Sequence, residues 1–147
     1  VIRKEVMTVP GIDGQKMSKS YGNIIDVFQP DKALRKTIMS IQTDSTPLEA
    51  PKDPDQCTVF ALYSLLADDH KVGEMRKNYL AGNYGYGHAK QELYELIVDQ
   101  MAEERRAFAH LMDHPDEVTK RLEKGEARAR EIGHVVLDRV RKQIGFR

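Results

Sequence analysis

Two lysines three residues apart, Lys16 and Lys19, enclose Met17 and Ser18 and are followed by Ser20, so the pentapeptide reads KMSKS. Each ammonium is a compact cation with three donors, a shape suited to phosphate oxygens. The two hydroxyls beside the second cation add further donors. Gly11, Gly14 and Gly22 flank the segment, which predicts a loop free to close over a polyphosphate and meet negative charge as it develops. Taken alone, a K-x-x-K spacing is more often a solvated basic loop. The full string is rarer: average residue usage yields it by chance in roughly one chain of this size in 10⁴ or more.

Other chemistry-bearing residues carry a plainer alternative. His110 and His114 stand four apart and could share a metal, but two ligands without a third favour an interaction at a helix C-terminus. Tyr84 and Tyr86 could stack on bases; packing at the start of a helix is the simpler expectation. Gly85 and Gly87 form a G-x-G with no strand before it, a weak phosphate signal. Near the end of the chain, Lys120, Lys124 and Arg128 share one helical stripe, and Arg139 and Lys142 another, with Arg141 beside them. Clustered cations of this kind are candidate contacts for a polyanion. Glu117, Glu123, Glu131 and Asp138 interleave with them, so a salt-bridged solvated face competes with that expectation.

The elements that must position these groups read as mainly α. Residues 4–10, with β-branched Val6 and Val9, predict a short strand that stops at Pro10-Gly11. Residues 11–23 form a loop. Helices are expected over residues 30–40, 55–67, 69–80 and 88–112, the last turning Leu93, Ile97, Met101, Phe108 and Leu111 inward. Phe28, Phe60 and the methionines are expected in the core. Pro47, Pro51 and Pro54 make residues 42–56 an irregular linker. Beyond His114-Pro115 runs a single apolar seam: Val118, Leu122, Gly125, Ala129, Ile132, Val136, Val140 and Ile144. Gly125 leaves one helix with a weak point or two abutting ones. The expected fold is a bundle of about five helices preceded by a strand and a loop.

Composition narrows the function. The 147 residues carry 23 basic and 23 acidic side chains, but unevenly. Residues 1–36 are net +3, residues 37–114 net −6 and residues 115–147 net +3. A phosphate or nucleic-acid partner should therefore meet the ends. Leu, Ile, Val and Phe make up 24% of the chain, enough for a packed core. Cys57 is the sole cysteine, which excludes a disulfide, a zinc finger and a cysteine-held iron–sulfur cluster within one chain, and suits a reducing cytoplasm. The longest uncharged run, residues 56–67, is too short to span a bilayer. Arg3, Lys4 and Glu5 interrupt any signal sequence. A chain that opens on Val1 is expected to be processed or part of something longer.

The stretch from Pro10 to Asn23 (PGIDGQKMSKSYGN) resembles the ATP-loop segment of class I aminoacyl-tRNA synthetases, most of all the bacterial tryptophanyl branch. Asp53–Phe60 is similar to the start of that family's helix after the motif, Gly85–Lys90 to its G-x-G-x-x-K turn, and Glu126–Arg130 with Ile144-Gly145-Phe146 to its C-terminal helix. The resemblance implies that residues 1–29 end a Rossmann-type catalytic domain and residues 30–147 form an anticodon-binding domain. It makes Lys16 and Lys19 catalytic, touching ATP phosphates and the departing pyrophosphate. Val6, Met17, Ser18 and Ser20 would join them around ATP, which is a substrate bound with Mg²⁺. Lys120, Lys124, Arg128, Arg139 and Lys142 would meet tRNA(Trp). Tryptophan is the third substrate, the whole enzyme a cytoplasmic homodimer, and no zinc, iron–sulfur cluster or membrane is implied. The family's histidine ATP motif and its tryptophan pocket have no counterpart in these residues, so the 147-residue chain by itself is expected to be inactive. A third reading, a relative charging another amino acid, is not decided by these residues, because the amino-acid pocket is not among them. The alternative is a stand-alone tRNA- or protein-binding helical module.

Overall fold

The computed structural model describes residues 8–146. Val6 and most of the expected strand lie outside the described residues. Six α-helices make up the described fold: α1 (Asp31–Met39), α2 (Thr58–Leu66), α3 (Asp69–Ala81), α4 (Tyr86–Gln100), α5 (Ala102–Asp113) and α6 (Pro115–Gln143). The chain divides into two compact units, Val1–Arg105 and Arg106–Arg147.

In the first unit, α4 packs on both α1 and α2. Leu34 and Ile38, one turn apart on α1, share one buried cluster with Val59, Phe60, Leu62 and Tyr63 of α2, Met75 and Tyr79 of α3, and Leu93, Leu96 and Ile97 of α4. These apolar residues recur at three- and four-residue spacing, so each helix offers one stripe to a shared core. Tyr79 is wholly buried, its ring edge-on to Phe60 and its hydroxyl 3.4 Å from Cys57 Sγ.

Both ends of α1 are held by side chains from later in the sequence. Arg105 donates to the carbonyls of Val27 and Gln29 and to Asp31 Oδ1, the last at 2.6 Å. Lys90 donates to the Met39 carbonyl at 3.1 Å, satisfying one of the acceptors a helix C-terminus leaves open. Burial pushes the Lys90 ammonium below the ordinary lysine range.

The irregular stretch before α2 is ordered by a buried lysine. Lys52, 3% exposed, donates to the carbonyls of Pro47, Leu48 and Ala50 at 2.9, 3.3 and 3.2 Å. Proline-broken backbone forms no regular ladder; the Ala50 amide reaches the Pro47 carbonyl at 3.3 Å, and the ammonium supplies the further donors. Asp53 then caps the 3-10 turn Pro54–Gln56, and Asp68 caps α3 through the Lys71 amide at 2.9 Å.

The structure corrects several expectations. The helix over residues 88–112 is two helices, α4 and α5, broken at Met101 with no proline or glycine to mark the break. The break falls four residues before Arg105, whose three contacts anchor the start of α5 to residues 27–31. Phe28 and Phe108 are 39% and 42% exposed rather than core, as is Met112. Six helices replace about five. The helix expected from residue 55 starts at Thr58, after the 3-10 turn. At the C-terminal end, α6 runs unbroken through Gly125, with i,i+4 ion pairs Asp116–Lys120, Glu117–Arg121 and Glu126–Arg130 along it. None of its residues is buried, and its apolar seam stands open at Leu122, Ile132 and Ile144.

Candidate functional site: the Lys16–Lys19 loop

Residues 9–23 fold back on themselves. Pro10 and Lys16 form an antiparallel bridge, the Met17 amide donates to the Val9 carbonyl at 2.9 Å, and the Gly11 amide to the Gln15 carbonyl at 2.7 Å. The reversal runs through Gly14 at φ 77°, a conformation glycine adopts without a β-carbon clash. The Gln42 amide donates to the Ile12 carbonyl at 2.7 Å and ties the fold-back to the residues after α1.

Ser18 opens a single 3-10 turn, Lys19–Tyr21, by accepting the Ser20 amide on its hydroxyl at 3.2 Å. Gly22 closes the turn in the left-handed region, φ 67°, its amide donating to the Lys19 carbonyl at 3.2 Å. Lys16, Lys19 and Ser20 are exposed; Ser18 and Met17 are half-buried. The Met17 side chain lines an apolar groove of about 350 Å³ with Ile25, Val27, Leu62, Leu93 and Ile97. The loop therefore presents two cations and a hydroxyl to solvent while its apolar member faces the core.

The residue that organises the loop is one that sequence reasoning did not single out. Asn23 is 2% exposed. Its Oδ1 accepts the Ser18 amide at 2.8 Å, and its Nδ2 donates to Asp13 Oδ1 at 2.8 Å and to the Lys16 carbonyl at 3.1 Å. Its backbone carbonyl accepts the Ile12 amide at 3.0 Å. Asp13, which also accepts the Gln15 amide, is held below the ordinary carboxyl pKa chiefly by Asn23. The flanking glycines have conformational reasons of their own. Gly11 has no space for a side chain, and Gly14 and Gly22 occupy positive φ.

The remaining candidates fall elsewhere. Tyr84 donates to Glu92 Oε1 and Tyr86 to Asp44 Oδ1, each at 2.7 Å, and both rings pack near Tyr79. Burial pushes the Tyr86 phenol up to about 12. Both are knitted into the fold, and Lys90 at the end of the G-x-G-x-x-K run caps α1. The His110 and His114 rings stack at 4.3 Å; His110 meets Glu117 at 3.1 Å and His114 the His110 carbonyl at 2.8 Å. Lys120, Lys124, Arg128, Arg139 and Lys142 are all exposed on α6, with Lys120 paired to Asp116 at 3.3 Å.

A family model described as tRNA synthetases class I (W and Y) matches residues 2–101. The chain is 40% identical over 145 residues to the tryptophan–tRNA ligase of Campylobacter jejuni, across 99% of this chain and 46% of that protein. It is 44% identical over 139 residues to the tryptophan–tRNA ligase of Rhodopirellula baltica, across 95% and 43% respectively. The fold superposes at a TM-score of 0.93 and 39% identity on the crystal structure of the Campylobacter jejuni tryptophanyl-tRNA synthetase complexed with ADP and tryptophan, covering 99% of this chain and 46% of that one. The chain thus spans about half the length of the relatives it matches. With the family model covering more than half of its residues and near-complete alignment to these relatives, the chain belongs to the class I tRNA synthetases of the tryptophan and tyrosine group.

Proposed function

We propose that this chain supplies the pyrophosphate side of the ATP site and the tRNA-binding helices of a tryptophan–tRNA ligase. The observation that carries the reading is the Lys16–Lys19 loop: two exposed cations on a backbone pinned by buried Asn23, in a chain matched along nearly its whole length by tryptophan–tRNA ligases. In this reading residues 1–29 end the nucleotide-binding domain and residues 30–147 form the anticodon-binding domain. The whole enzyme is a cytoplasmic homodimer.

The reaction has two steps. A carboxylate oxygen of tryptophan attacks the α-phosphorus of ATP, the bond to the β-phosphate oxygen breaks, and pyrophosphate leaves with the Mg²⁺ that accompanied the nucleotide. A ribose hydroxyl at the tRNA end then attacks the adenylate carbonyl and releases AMP. Charge grows on the departing pyrophosphate in the first step, and Lys16 and Lys19 are the cations that meet it. Ser18 uses its hydroxyl oxygen to cap the turn, which leaves its O–H to donate to phosphate, while Ser20 presents a second hydroxyl. The Met17 side chain keeps to the apolar groove while its backbone lies near the adenosine; Val6, outside the described residues, is the position assigned to adenine. On the tRNA side, Lys120, Lys124 and Arg128 form one phosphate-facing stripe of α6 and Arg139 and Lys142 a second.

Tryptophan-dependent exchange of pyrophosphate into ATP tests the reading. The full-length protein carrying these residues is expected to catalyse it. The 147-residue chain is not, because adenylation needs both ends of the reacting group held at once. Exchange by the 147-residue chain above a no-protein control overturns the half-site reading. A full-length protein inert in exchange but retaining tRNA affinity moves the chain to a binding module.

A further inference from the structure

Asn23 uses its whole side-chain amide on the loop that bears the two lysines. Both Nδ2 hydrogens go to acceptors, the Asp13 carboxylate and the Lys16 carbonyl, and Oδ1 faces a donor, the Ser18 amide. These partners fix which way the amide points. The Lys16 carbonyl and the Ser18 amide lie on either side of Met17, so one side chain clamps the backbone between the two cations. Gly11 closes over it so tightly that a β-carbon there would stand 2.5 Å from Asn23 Cγ. A buried amide with every polar atom spent on one loop, and none on the helical core, serves the shape of that loop.

We propose that Asn23 is the positioning residue that sets the spacing of Lys16 and Lys19, with Asp13 as the group that orients it. The inference rests on the reading of this loop as the ATP-phosphate loop. Without the clamp both ammonium groups keep their charge but lose their fixed separation. ATP still draws them in the ground state, while the geometry needed as pyrophosphate departs is missed. A misplacement of about 1 Å at a reacting centre costs on the order of 100-fold.

The test is single-turnover adenylation in the full-length protein, with Lys19→Ala as the reference. Asn23→Ala and Asn23→Asp are expected to slow adenylation about 10- to 100-fold with KM for ATP within about threefold, at a temperature where each variant is still fully folded. Asn23→Asp sets a carboxylate against Asp13, so its rate relative to wild type should rise as pH is lowered from about 8 to about 6 and one of the pair protonates. Adding Asp13→Asn restores a donor–acceptor pair and should recover part of the loss. Hydrogen exchange at the Ser18 amide reports the clamp directly and should quicken in both single variants. If Lys19→Ala leaves adenylation unchanged, the loop does not serve ATP and this inference falls with that reading. If Lys19→Ala is slow while both Asn23 variants react at the wild-type rate, the positioning role alone is overturned. It is equally overturned if their losses track unfolding and neither low pH nor Asp13→Asn restores any rate.

Discussion

Gly11 and Asn23 are in such close contact that a β-carbon on the glycine would lie 2.5 Å from the asparagine's Cγ and from its backbone oxygen. The cause is that Asn23 must reach inward to Asp13 and Lys16 through the space a side chain at residue 11 would fill. Gly11→Ala is therefore expected to reproduce the adenylation defect of the Asn23 variants. Gly22→Ala meets nothing within 4 Å and pays only for its positive φ, about 1 kcal/mol. Parallel urea unfolding and pre-steady-state adenylation should separate the two: Gly11→Ala lowers both the unfolding midpoint and the rate, because the clash includes backbone, whereas Gly22→Ala lowers stability modestly with little change in rate.

Lys19 stands exposed on a turn capped at one end by Ser18 and at the other by Gly22. A charge-assisted contact realised as pyrophosphate departs is worth about 2–4 kcal/mol in a water-excluded site, or roughly 30- to 1,000-fold in rate. Lys19→Ala in the full-length protein is expected to lower the adenylation rate by that range and to move KM for ATP less than about fivefold. Lys16→Ala should act in the same direction. A hundredfold rise in KM at an intact rate would make Lys19 a ground-state anchor instead.

The Lys120, Lys124 and Arg128 stripe is exposed along one face of α6. Reversing all three charges should weaken tRNA binding and reduce the slope of log K against log salt by about two to three, one for each phosphate no longer neutralised. Filter binding across a potassium chloride series reads that slope. An unchanged slope would move the tRNA interface to other residues.

Lys52 gives a stability prediction independent of catalysis. Lys52→Met keeps the buried stem but removes the ammonium, leaving the Leu48 and Ala50 carbonyls without that donor and the Pro47 carbonyl with the Ala50 amide alone, at 3.3 Å. Part-buried acceptors left short of a partner in this way cost about 1–3 kcal/mol. Urea denaturation should show a lower midpoint at an unchanged m-value.

Asp55 sets an acid limb. Two bonds from Arg76, at 2.6 and 3.2 Å, hold its carboxyl below the ordinary 3.8. A folded-state pKa below the unfolded one stabilises above about pH 4, and that contribution disappears as pH falls through the depressed value. Asp55→Asn should therefore flatten the loss of stability below about pH 4 while leaving the neutral-pH dependence alone. Arg76 also lies over the Phe60 ring at 4.9 Å, so Arg76→Ala should cost more at neutral pH than Asp55→Asn does.

Periodic apolar spacing is a good guide where a helix owes its form to its own face. The expected spans match α1 and α3 to within a residue, with Pro30 at the start of α1 and Gly82 just past the end of α3. Spacing fails at Met101, where nothing in Asp99–Glu103 opposes a continuous helix and the break accompanies Arg105, whose partners lie more than 70 residues away in sequence. Lys52 is equally opaque, because a lysine among prolines reads as solvated until the fold surrounds it with carbonyls. At the loop, the full KMSKS string marks Lys16 and Lys19 as candidate phosphate contacts. Asn23 carries only a turn signal, since its importance lies in the partners it reaches rather than in its own chemistry.

No residue of α6 is buried, whereas α4 contributes four to the core. Backbone amides should therefore exchange with solvent on two clocks within one chain. Those of Leu93, Leu96 and Ile97 wait for global unfolding, while those of α6, a helix with no buried residue, open locally; its ties include the ion pairs Asp116–Lys120, Glu117–Arg121 and Glu126–Arg130 and the contact of Glu117 with His110. Salt should hasten exchange along α6 and leave α4 untouched.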